Sequence, residues 1–419
     1  DSKSSRIAEV DIAGYRMDAP ALAADGRQPA TLILAGLQHP CCQAVLALTD
    51  DDHTNVAVAA AARLLRPDVP VVCRAEHPAV AADMALFEVE HIIDPHAKFG
   101  DYLVTAIQSP GSYQLQQWLT GMPGTSLGRQ TEPPRGCWLV YGDGRFAAAV
   151  SKQLKRAGID VTELPPQGGR SALRDEGTAA PDEGLVAQLD RSGIHDAAGF
   201  VAGTDDDVRN LAIVVAARRL NPRLFFVLRQ NREAAQPLFA AFRSDITVTS
   251  PEIVVHECLA RLTTPLLPRF LGTVAERDDA WADATLLKLR GIVSREVPAI
   301  WTVELSAAAS PACADFLRDS GQTLRLDHLI RDPDNREAHL HCVPLLVARQ
   351  DNSEWCMPAP DTAVTTGDRI LFAGTPDCQL KQAATLLNVN VLHYVYFGRH
   401  VPGSWIMRRL LLRPGGSAH

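Results

Sequence analysis

The 419-residue chain lacks the features that mark several specialised classes of protein. Its nine cysteines form no Cys-x-x-Cys pair, so we interpret them as reduced, cytosolic thiols that mostly lie in the core. No uninterrupted apolar run is long enough to cross a bilayer, and residues 1–6 have no signal-peptide character. The formal net charge of −8 argues against a nucleic-acid groove. These absences predict a soluble globular chain without a nucleic-acid partner.

The chain does contain a strand, a glycine turn and a helix in the order that a mononucleotide-binding βαβ unit requires. Residues 139–141 are predicted as a short buried strand and 146–157 as an amphipathic helix. Between them, Gly142 allows the tight turn and Gly144 lets the backbone approach a phosphate, while the small Ala147 lets helix and strand pack closely. Backbone N–H groups at the helix start then face an anion. The stretch therefore predicts a Rossmann unit.

A long internal repeat indicates the architecture. The motif Thr-Asp-Asp-Asp-x-x-Asn occurs at residues 49–55 and again at 204–210, an offset of 155 residues. Three further pairs share this offset: Arg63 with Arg218, Pro67 with Pro222, and Arg74 with Arg229. In both copies an apolar strand precedes the motif, and a helix and a strand ending in Arg follow it. We therefore expect two copies of one α/β domain.

The repeat also indicates a missing piece. The glycine turn that corresponds to Gly142 in the first copy would fall before residue 1. Residues 1–48 supply only the rest of that half, with helices at 5–14 and 30–37, a strand at 15–17 and a loop at 24–26. A Rossmann half without its first strand and helix leaves the centre of a sheet uncovered. We therefore expect the parent protein to continue N-terminally, or the missing piece to be a separate segment.

The fold class expected is α/β, with two Rossmann-like parallel-sheet lobes in tandem, the first lacking its first β-α unit, plus a small α+β C-terminal lobe. The predicted divisions are a first lobe at 1–120, a linker at 121–135, a second lobe at 136–263, crossover helices at 264–294 and the C-terminal lobe at 295–405. Residues 167–183 are predicted as a polar surface loop. In the C-terminal lobe we expect strands at 300–305, 324–330, 341–348 and 369–373, helices at 312–319 and 379–387, a terminal strand at 389–405 and a docked helix at 405–410.

These motifs together resemble the RCK family, the regulators of K⁺ conductance that form cytosolic ligand-sensing domains of potassium channels and transporters. The resemblance rests on the doubled Thr-Asp-Asp-Asp-x-x-Asn motif, on Val-Tyr-Gly-Asp-Gly-Arg-Phe at 140–146, and on Thr-Gly-Asp-Arg-Ile-Leu-Phe-Ala-Gly at 366–374 after Pro-Ala-Pro-Asp-Thr at 358–362. Two N-lobes and one C-lobe resemble tandem-RCK channels, in which a pore precedes the first lobe. The resemblance implies a homo-oligomeric gating ring at the inner face of the cell membrane, a transmembrane potassium pore in the same parent polypeptide, and NAD(H) or an adenine nucleotide as ligand.

Two crevices are candidate nucleotide sites. In the second lobe the candidates are Gly142, Asp143, Gly144, Arg145, Ala147, Glu163, Thr204, Asp205 and Arg229. In the first lobe the resemblance implies Asp1 as the ribose carboxylate, with Asp25, Thr49 and Arg74 beside it. By the same analogy the second-lobe ribose carboxylate falls on Pro165, two residues after Glu163, so a mononucleotide or an empty crevice stays open. The Thr-Asp-Asp-Asp clusters are alternatively helix caps.

Metal binding and catalysis have weaker support. Arg74 and Arg229 stand where some calcium-gated relatives carry an acid, and their positive charge argues against Ca²⁺. Glu76 alone is not a site. Neither the Cys41-Cys42 pair nor the set His339, His341 and Cys342 has four-ligand spacing. His195, His256 and Glu257 form no recognisable catalytic set. We therefore expect no metal site and no enzyme.

The leading hypothesis is a gating module in which ligand binding shifts the two lobes and the motion is passed to a pore. One alternative is a peripheral subunit of a potassium uptake transporter. A second is an NAD(P)-dependent oxidoreductase, which needs a proton donor that the sequence does not supply. A third is a structural assembly domain with inactive sites.

Overall fold

The computed structural model describes residues 20–121, 123–125, 132–166, 181–293, 296–319 and 321–398, with the backbone alone at 181–183, 263 and 293. The described residues of 1–108 and 131–258 form one compact unit, and those of 109–130 and 259–419 form a second. None of the described helices is both long enough and apolar enough to cross a membrane. Both repeat copies thus lie in the first unit.

The second lobe is built on a five-stranded parallel sheet of order β5-β4-β6-β7-β8. Its strands are β4 (Trp138–Tyr141), β5 (Val161–Leu164), β6 (Gly199–Ala202), β7 (Phe225–Arg229) and β8 (Ile246–Val248). Its helices are α6 (Arg145–Arg156), α7 (Pro181–Arg191), α8 (Asp207–Leu220), α9 (Gln236–Phe242), which follows the 3₁₀ turn Glu233–Ala235, and α10 (Ser250–Thr263). Strand β4 is fully buried because strands pair with it on both sides and helices cover it.

The first lobe repeats this plan in shorter form. Its elements are α1 (Pro29–Leu34), β1 (Val45–Ala47), α2 (Asp52–Leu65), β2 (Val71–Arg74), α3 (Pro78–Leu86), β3 (His91–Ile93) and α4 (Pro95–Gln108), and the described strands form a parallel sheet β1-β2-β3. Helices α2 and α8 begin and end 155 residues apart, as do α4 and α10 and strands β3 and β8. The doubling inferred from the sequence is confirmed, and it extends through α10.

The two lobes of this unit contact each other through the paired helices. Helix α4 packs on α6 and β4, where Phe99 and Leu103 join the core formed by Trp138 and Phe146. The Tyr102 hydroxyl also donates a hydrogen bond to Glu257 Oε1 at 2.6 Å. Tyr102 and Glu257 occupy the same position in the two copies, since 155 residues separate them. A residue that contacts its own counterpart lies close to a local two-fold axis.

The second unit is an antiparallel sheet covered by helices on both faces. Its elements are α5 (Pro110–Thr120), α11 (Leu266–Ala275), α12 (Asp279–Val293), β9 (Ala299–Glu304), α13 (Pro311–Asp319), β10 (Leu324–Arg325), α14 (Leu326–Ile330), β11 (Cys342–Ala348), β12 (Glu354–Cys356), β13 (Ala363–Val364), β14 (Arg369–Gly374), α15 (Pro376–Leu387) and α16 (Val389–Phe397). The main sheet has the order β12-β11-β14-β9. Helices α5, α11 and α12 cover one face, and α13, α15 and α16 cover the other. The predicted fold class, with an added antiparallel sheet, is confirmed.

Some local predictions were wrong. Residues 324–330 form a two-residue strand and then a helix, because Leu326, Leu329 and Ile330 are buried at helical spacing. The expected strand from 389 is helix α16, which Asn388 caps and Gly398 ends. Its β-branched and aromatic composition misled the prediction, since tertiary packing overrides such preferences.

The boundaries also differ in two places. Helix α5, assigned by sequence to the first lobe, belongs to the second unit because Leu115 and Trp118 pack against α11 and α12. The last three residues of the predicted loop 167–183 begin α7. The remainder of that loop, the predicted elements at 5–17 and the segment 405–410 lie outside the described residues.

Candidate functional site

The glycine turn after β4 opens a crevice at the carboxyl end of the second-lobe sheet. Gly142 has φ +146°, and a Cβ there would lie 3.0 Å from both the Ala147 Cβ and the Gly203 carbonyl oxygen. Only glycine fits this turn without strain. Gly144 is the residue preceding helix α6, and its missing side chain leaves the first N–H groups of that helix accessible. The turn therefore has the strand, glycine and helix order, and the close glycine packing, that the sequence predicted.

An open cavity of about 580 Å³ extends from this turn along helix α6. Five of the predicted site residues line it: Gly142, Asp143, Gly144, Ala147 and Glu163. The remaining lining residues are Ala148, Ser151, Lys152, Lys155, Arg156 and Pro165. The cavity follows the side of the sheet formed by β4 and β5. Its volume lies within the range of small-molecule sites.

Glu163 is engaged by the helix beside it. Lys155 Nζ donates to Glu163 Oε1 at 2.6 Å, and both side chains are about half exposed. Hydrogen bonding from Lys155 lowers the pKa of the Glu163 carboxyl below its usual value, although slight burial opposes this. The Glu163 carboxylate is therefore charged and paired with Lys155.

The Thr-Asp-Asp-Asp motif holds the crevice edge together in both lobes. Asp207, the last aspartate of the second motif, accepts hydrogen bonds from the backbone N–H groups of Asn231 and Arg232 at 2.7 and 3.0 Å. Asp206 caps helix α8 by accepting from the Val208 and Arg209 N–H groups. In the first lobe Asp51 caps α2, and Asp52 accepts from the N–H groups of Glu76 and His77. The second and third aspartates therefore have structural partners, as the capping hypothesis expects.

The threonine of each motif is tied to the asparagine six residues later. The Thr204 hydroxyl donates to Asn210 Oδ1 at 2.7 Å, and the Thr49 hydroxyl donates to Asn55 Oδ1 at 2.8 Å. Thr204 is buried. Both hydroxyls thus support the strand-to-helix turn, and the structure gives them no opening towards the cavity that the glycine turn lines.

The first aspartate of the second motif lies beside the glycine turn. Asp205 is paired with Arg229, and its carboxylate lies 3.5 Å from the position of a Cβ on Gly144. The Arg229 guanidinium lies 5.2 Å from the centre of the Phe146 ring. These two predicted site residues are therefore brought to the turn, where they neutralise each other.

The predicted first-lobe residues are more dispersed. Asp25 binds Arg27, with the carboxylate oxygens 2.9 to 3.2 Å from the guanidinium nitrogens. Arg74 binds Glu76 and is mostly buried. Asp1 lies outside the described residues. Asp25 and Arg74 therefore each pair with a residue two positions away in the chain.

Arg145 does not lie along the second-lobe cavity. Its guanidinium contacts Glu76 of the first lobe at 3.2 Å and also touches the ring of His77. Burial alone would raise the pKa of Glu76, but the hydrogen bond from Arg74 and the charge of Arg145 lower it. A charged pair thus connects the residue after Gly144 to the other lobe.

A buried histidine lies beside this pair. His96 is 3% exposed, and neither of its ring nitrogens has a hydrogen-bond partner among the described residues. Its Nε2 lies 3.9 Å from Glu76 Oε1, and its ring packs edge-on against Phe146 of the second lobe. Burial lowers the pKa of His96 to about 4, helped by the nearby arginines and opposed by Glu76. The imidazole is therefore neutral at neutral pH.

Sequence reasoning missed several of these residues. Lys152 and Lys155 have the spacing of an ordinary solvated helix face, so no local signal separates them from surface lysines. Glu76 was noticed only as an isolated acid. Its contact with Arg145 joins residues 69 positions apart, which is beyond the reach of local patterns.

Comparison with known proteins accounts for the doubled architecture. A family model for the TrkA-N domain matches residues 1–95 and 138–250, the same two stretches that the repeat defines. The chain belongs to the TrkA-N (RCK) family. Its two TrkA-N domains supply the two lobes, and the glycine turn described above lies in the second of them.

Two curated relatives are similar to part of the chain. Both are named "Trk system potassium uptake protein TrkA homolog", one from Pyrococcus abyssi and one from Pyrococcus horikoshii. Each is 28% identical over 149 residues, which cover 31% of this chain and 64% of the relative. The chain thus spans less than two thirds of the length of these relatives.

Solved structures that are similar to the chain include the crystal structure of the GsuK RCK domain, which is 15% identical with a TM-score of 0.46 over 92% of this chain and 89% of that one. The GsuK channel bound to NAD is also 15% identical, with a TM-score of 0.47 over 92% and 74%. The human SLO3 gating ring is 8% identical, with a TM-score of 0.34 over 84% and 91%. The TrkA-N match, and not these distant similarities, defines the family of the chain.

Proposed function

We propose that the chain is the cytosolic, nucleotide-sensing regulatory module of a prokaryotic potassium channel. One observation carries the proposal: Gly144 borders the second-lobe cavity, and the next residue, Arg145, crosses to Glu76 of the first lobe. An occupant of the turn is therefore one residue away from a lobe-to-lobe contact. A nucleotide that binds better to one arrangement of the lobes would shift the balance between arrangements.

The nucleotide is proposed to be NAD(H) or an adenine nucleotide. The glycine turn, the exposed helix N-terminus and the cavity volume support such a ligand. The module would act at the inner face of the cell membrane, as a homo-oligomeric ring joined to a pore in the same parent polypeptide. Mass measurement by light scattering tests the ring, because a monomer at micromolar concentration contradicts it.

The binding step is tested by thermal shift with NAD, NADH, ATP, ADP and AMP on matched variants of Gly144. Gly144→Asp places a carboxylate at the turn beside Asp205, so we expect it to abolish stabilisation by nucleotides. Gly144→Ala adds a methyl group with ordinary contact distances of 3.5 Å or more within the protein, so it separates the effect of a side chain at the turn from the effect of the added charge. Equal melting shifts in Gly144→Asp and the parent chain would exclude this crevice as the site.

A second function is favoured by the names of the Pyrococcus relatives: a peripheral subunit of a potassium uptake system. The two functions differ in the flux that they regulate. A channel module changes passive rubidium efflux from preloaded membrane vesicles, whereas an uptake subunit changes net accumulation against a gradient. Each flux is measured with and without nucleotide, with Gly144→Asp as the unresponsive control.

We also propose that the chain binds its nucleotide without converting it chemically. The described lining of the cavity offers lysines, an arginine and two carboxylates, with no histidine or cysteine. Prolonged incubation with NADH should leave its absorbance unchanged apart from binding. Steady consumption of NADH by the purified chain would instead support the oxidoreductase alternative.

A further inference from the structure

The groove beside the second-lobe glycine turn is positively charged. Its lining includes three cationic side chains, Lys152, Lys155 and Arg156, and two carboxylates, Asp143 and Glu163. Three positive charges against two negative ones leave one net positive charge, in a chain whose formal net charge is −8. The groove is therefore a local exception to an acidic protein, and it favours an anionic occupant.

The charged side chains of the groove lie beside β5, the strand whose end normally binds the ribose of a nucleotide. In NAD-binding Rossmann folds, a carboxylate near the end of the second strand accepts hydrogen bonds from the ribose hydroxyls. Here that strand is β5, and its Glu163 already accepts from Lys155 at 2.6 Å. Pro165, directly after the strand, has no polar side-chain atom. Among the described lining residues, the carboxylate on β5 is therefore one that already accepts from a lysine.

Helix geometry directs the lysines towards the turn. Lys152 follows Gly144 by eight residues, a rise of about 12 Å along the axis of helix α6. Side chains of a helix lean towards its N-terminus, so the Lys152 ammonium reaches back along the groove. Both Lys152 and Lys155 are exposed, and the Lys155 ammonium is hydrogen-bonded to Glu163. Cations at this place in a Rossmann crevice are the feature that accommodates a phosphate on the ribose.

We propose that the second-lobe crevice binds an adenine nucleotide whose ribose carries a phosphate of its own, as in NADP(H), and that Lys152 and Lys155 bind this phosphate. The proposal rests on the nucleotide-binding function proposed above and adds the class of ligand. The Lys155 ammonium then donates to the ribose phosphate, and its hydrogen bond to Glu163 weakens. The glycine turn and the start of α6 hold the pyrophosphate.

Calorimetric titration of the full chain with two ligand pairs tests the preference. NADP⁺ is compared with NAD⁺, and 2′,5′-ADP with 5′-ADP, so that each pair differs by the ribose phosphate or its position. We expect the ligand with the 2′-phosphate to bind at least about tenfold more tightly in each pair, and the advantage to shrink as salt rises. Because Gly144→Asp should abolish binding in the second lobe, any binding that remains in this variant is assigned to the first lobe.

Lysine variants assign the preference to the groove. Lys152→Ala should lower the affinity for NADP⁺ about tenfold or more. Lys155→Ala should do the same and also release Glu163, so the preference should turn towards NAD⁺. Lys288→Ala, an exposed lysine on helix α12 of the other unit, is the control and should bind as the parent chain does.

The outcomes separate this inference from the function on which it rests. NAD⁺ binding as tightly as NADP⁺, or a preference for NADP⁺ that survives both Lys152→Ala and Lys155→Ala, overturns the phosphate assignment and leaves nucleotide sensing intact. The absence of binding by every nucleotide in the panel overturns both.

Discussion

His96 shows how a single buried side chain makes the stability of the first unit depend on pH. In the unfolded chain an imidazole has a pKa near 6.5, whereas burial lowers that of His96 to about 4. Between these values the unfolded state binds a proton that the folded state does not, so the free energy of unfolding falls as the pH drops from 6.5 to 4. The loss can reach about 3 kcal/mol.

His96→Phe should remove this dependence. The phenyl ring keeps the edge-on contact with Phe146, and no hydrogen bond is lost because neither ring nitrogen of His96 has a partner among the described residues. Urea unfolding at several pH values should show the variant losing less stability than the parent between pH 6.5 and 4.5. His53→Gln, which removes an exposed imidazole, is the control. Parallel losses in all three proteins would contradict the role given to His96.

At the scale of the element, the strand-to-helix turns depend on one asparagine each. Asn210 is fully buried, accepts from the N–H and hydroxyl of Thr204, and donates to the carbonyls of Thr204 and Arg229. Asn210→Ala strands these buried groups, so we expect a loss of about 2–4 kcal/mol. Denaturant unfolding measures the loss.

The repeat provides the matched comparison for that prediction. Asn55 is also fully buried and makes the equivalent bonds to Thr49 and the Arg74 carbonyl. Asn55→Ala should therefore cost about as much as Asn210→Ala. If the free energy of unfolding of either variant stays within about 0.5 kcal/mol of that of the parent chain, the asparagine is not the main support of the turn.

Elements with strong local signals could be predicted from the sequence, and elements decided by distant packing could not. The positive φ of Gly142 and the cap at Asp206 are local features of strand-to-helix turns, so the motifs were enough to predict them. Helix α16 was missed because Leu392 and Val395 are buried by other elements of the second unit, against their composition. Arg145 was placed at the phosphate because nothing local indicates Glu76.

At the scale of the whole molecule, the pair Arg145–Glu76 should couple the two lobes measurably. A double-mutant cycle with Arg145→Ala and Glu76→Ala isolates the interaction, for which we expect about 1 kcal/mol, since Arg145 is half exposed and Glu76 is mostly buried. The cycle Lys155→Ala with Glu163→Ala is the control, because both partners are half exposed and lie within one lobe. A coupling no larger than the control value would show that the Arg145–Glu76 pair does not join the lobes measurably.

The hydrogen bond between Tyr102 and Glu257 has an evolutionary consequence. These residues are counterparts that face each other across a local two-fold axis. Two identical subunits would have to place tyrosine against tyrosine, or glutamate against glutamate with mutual repulsion. Fusing both copies into one polypeptide lets each side of the axis diverge independently. The chain therefore contains a bond that a symmetric pair of identical copies could not form.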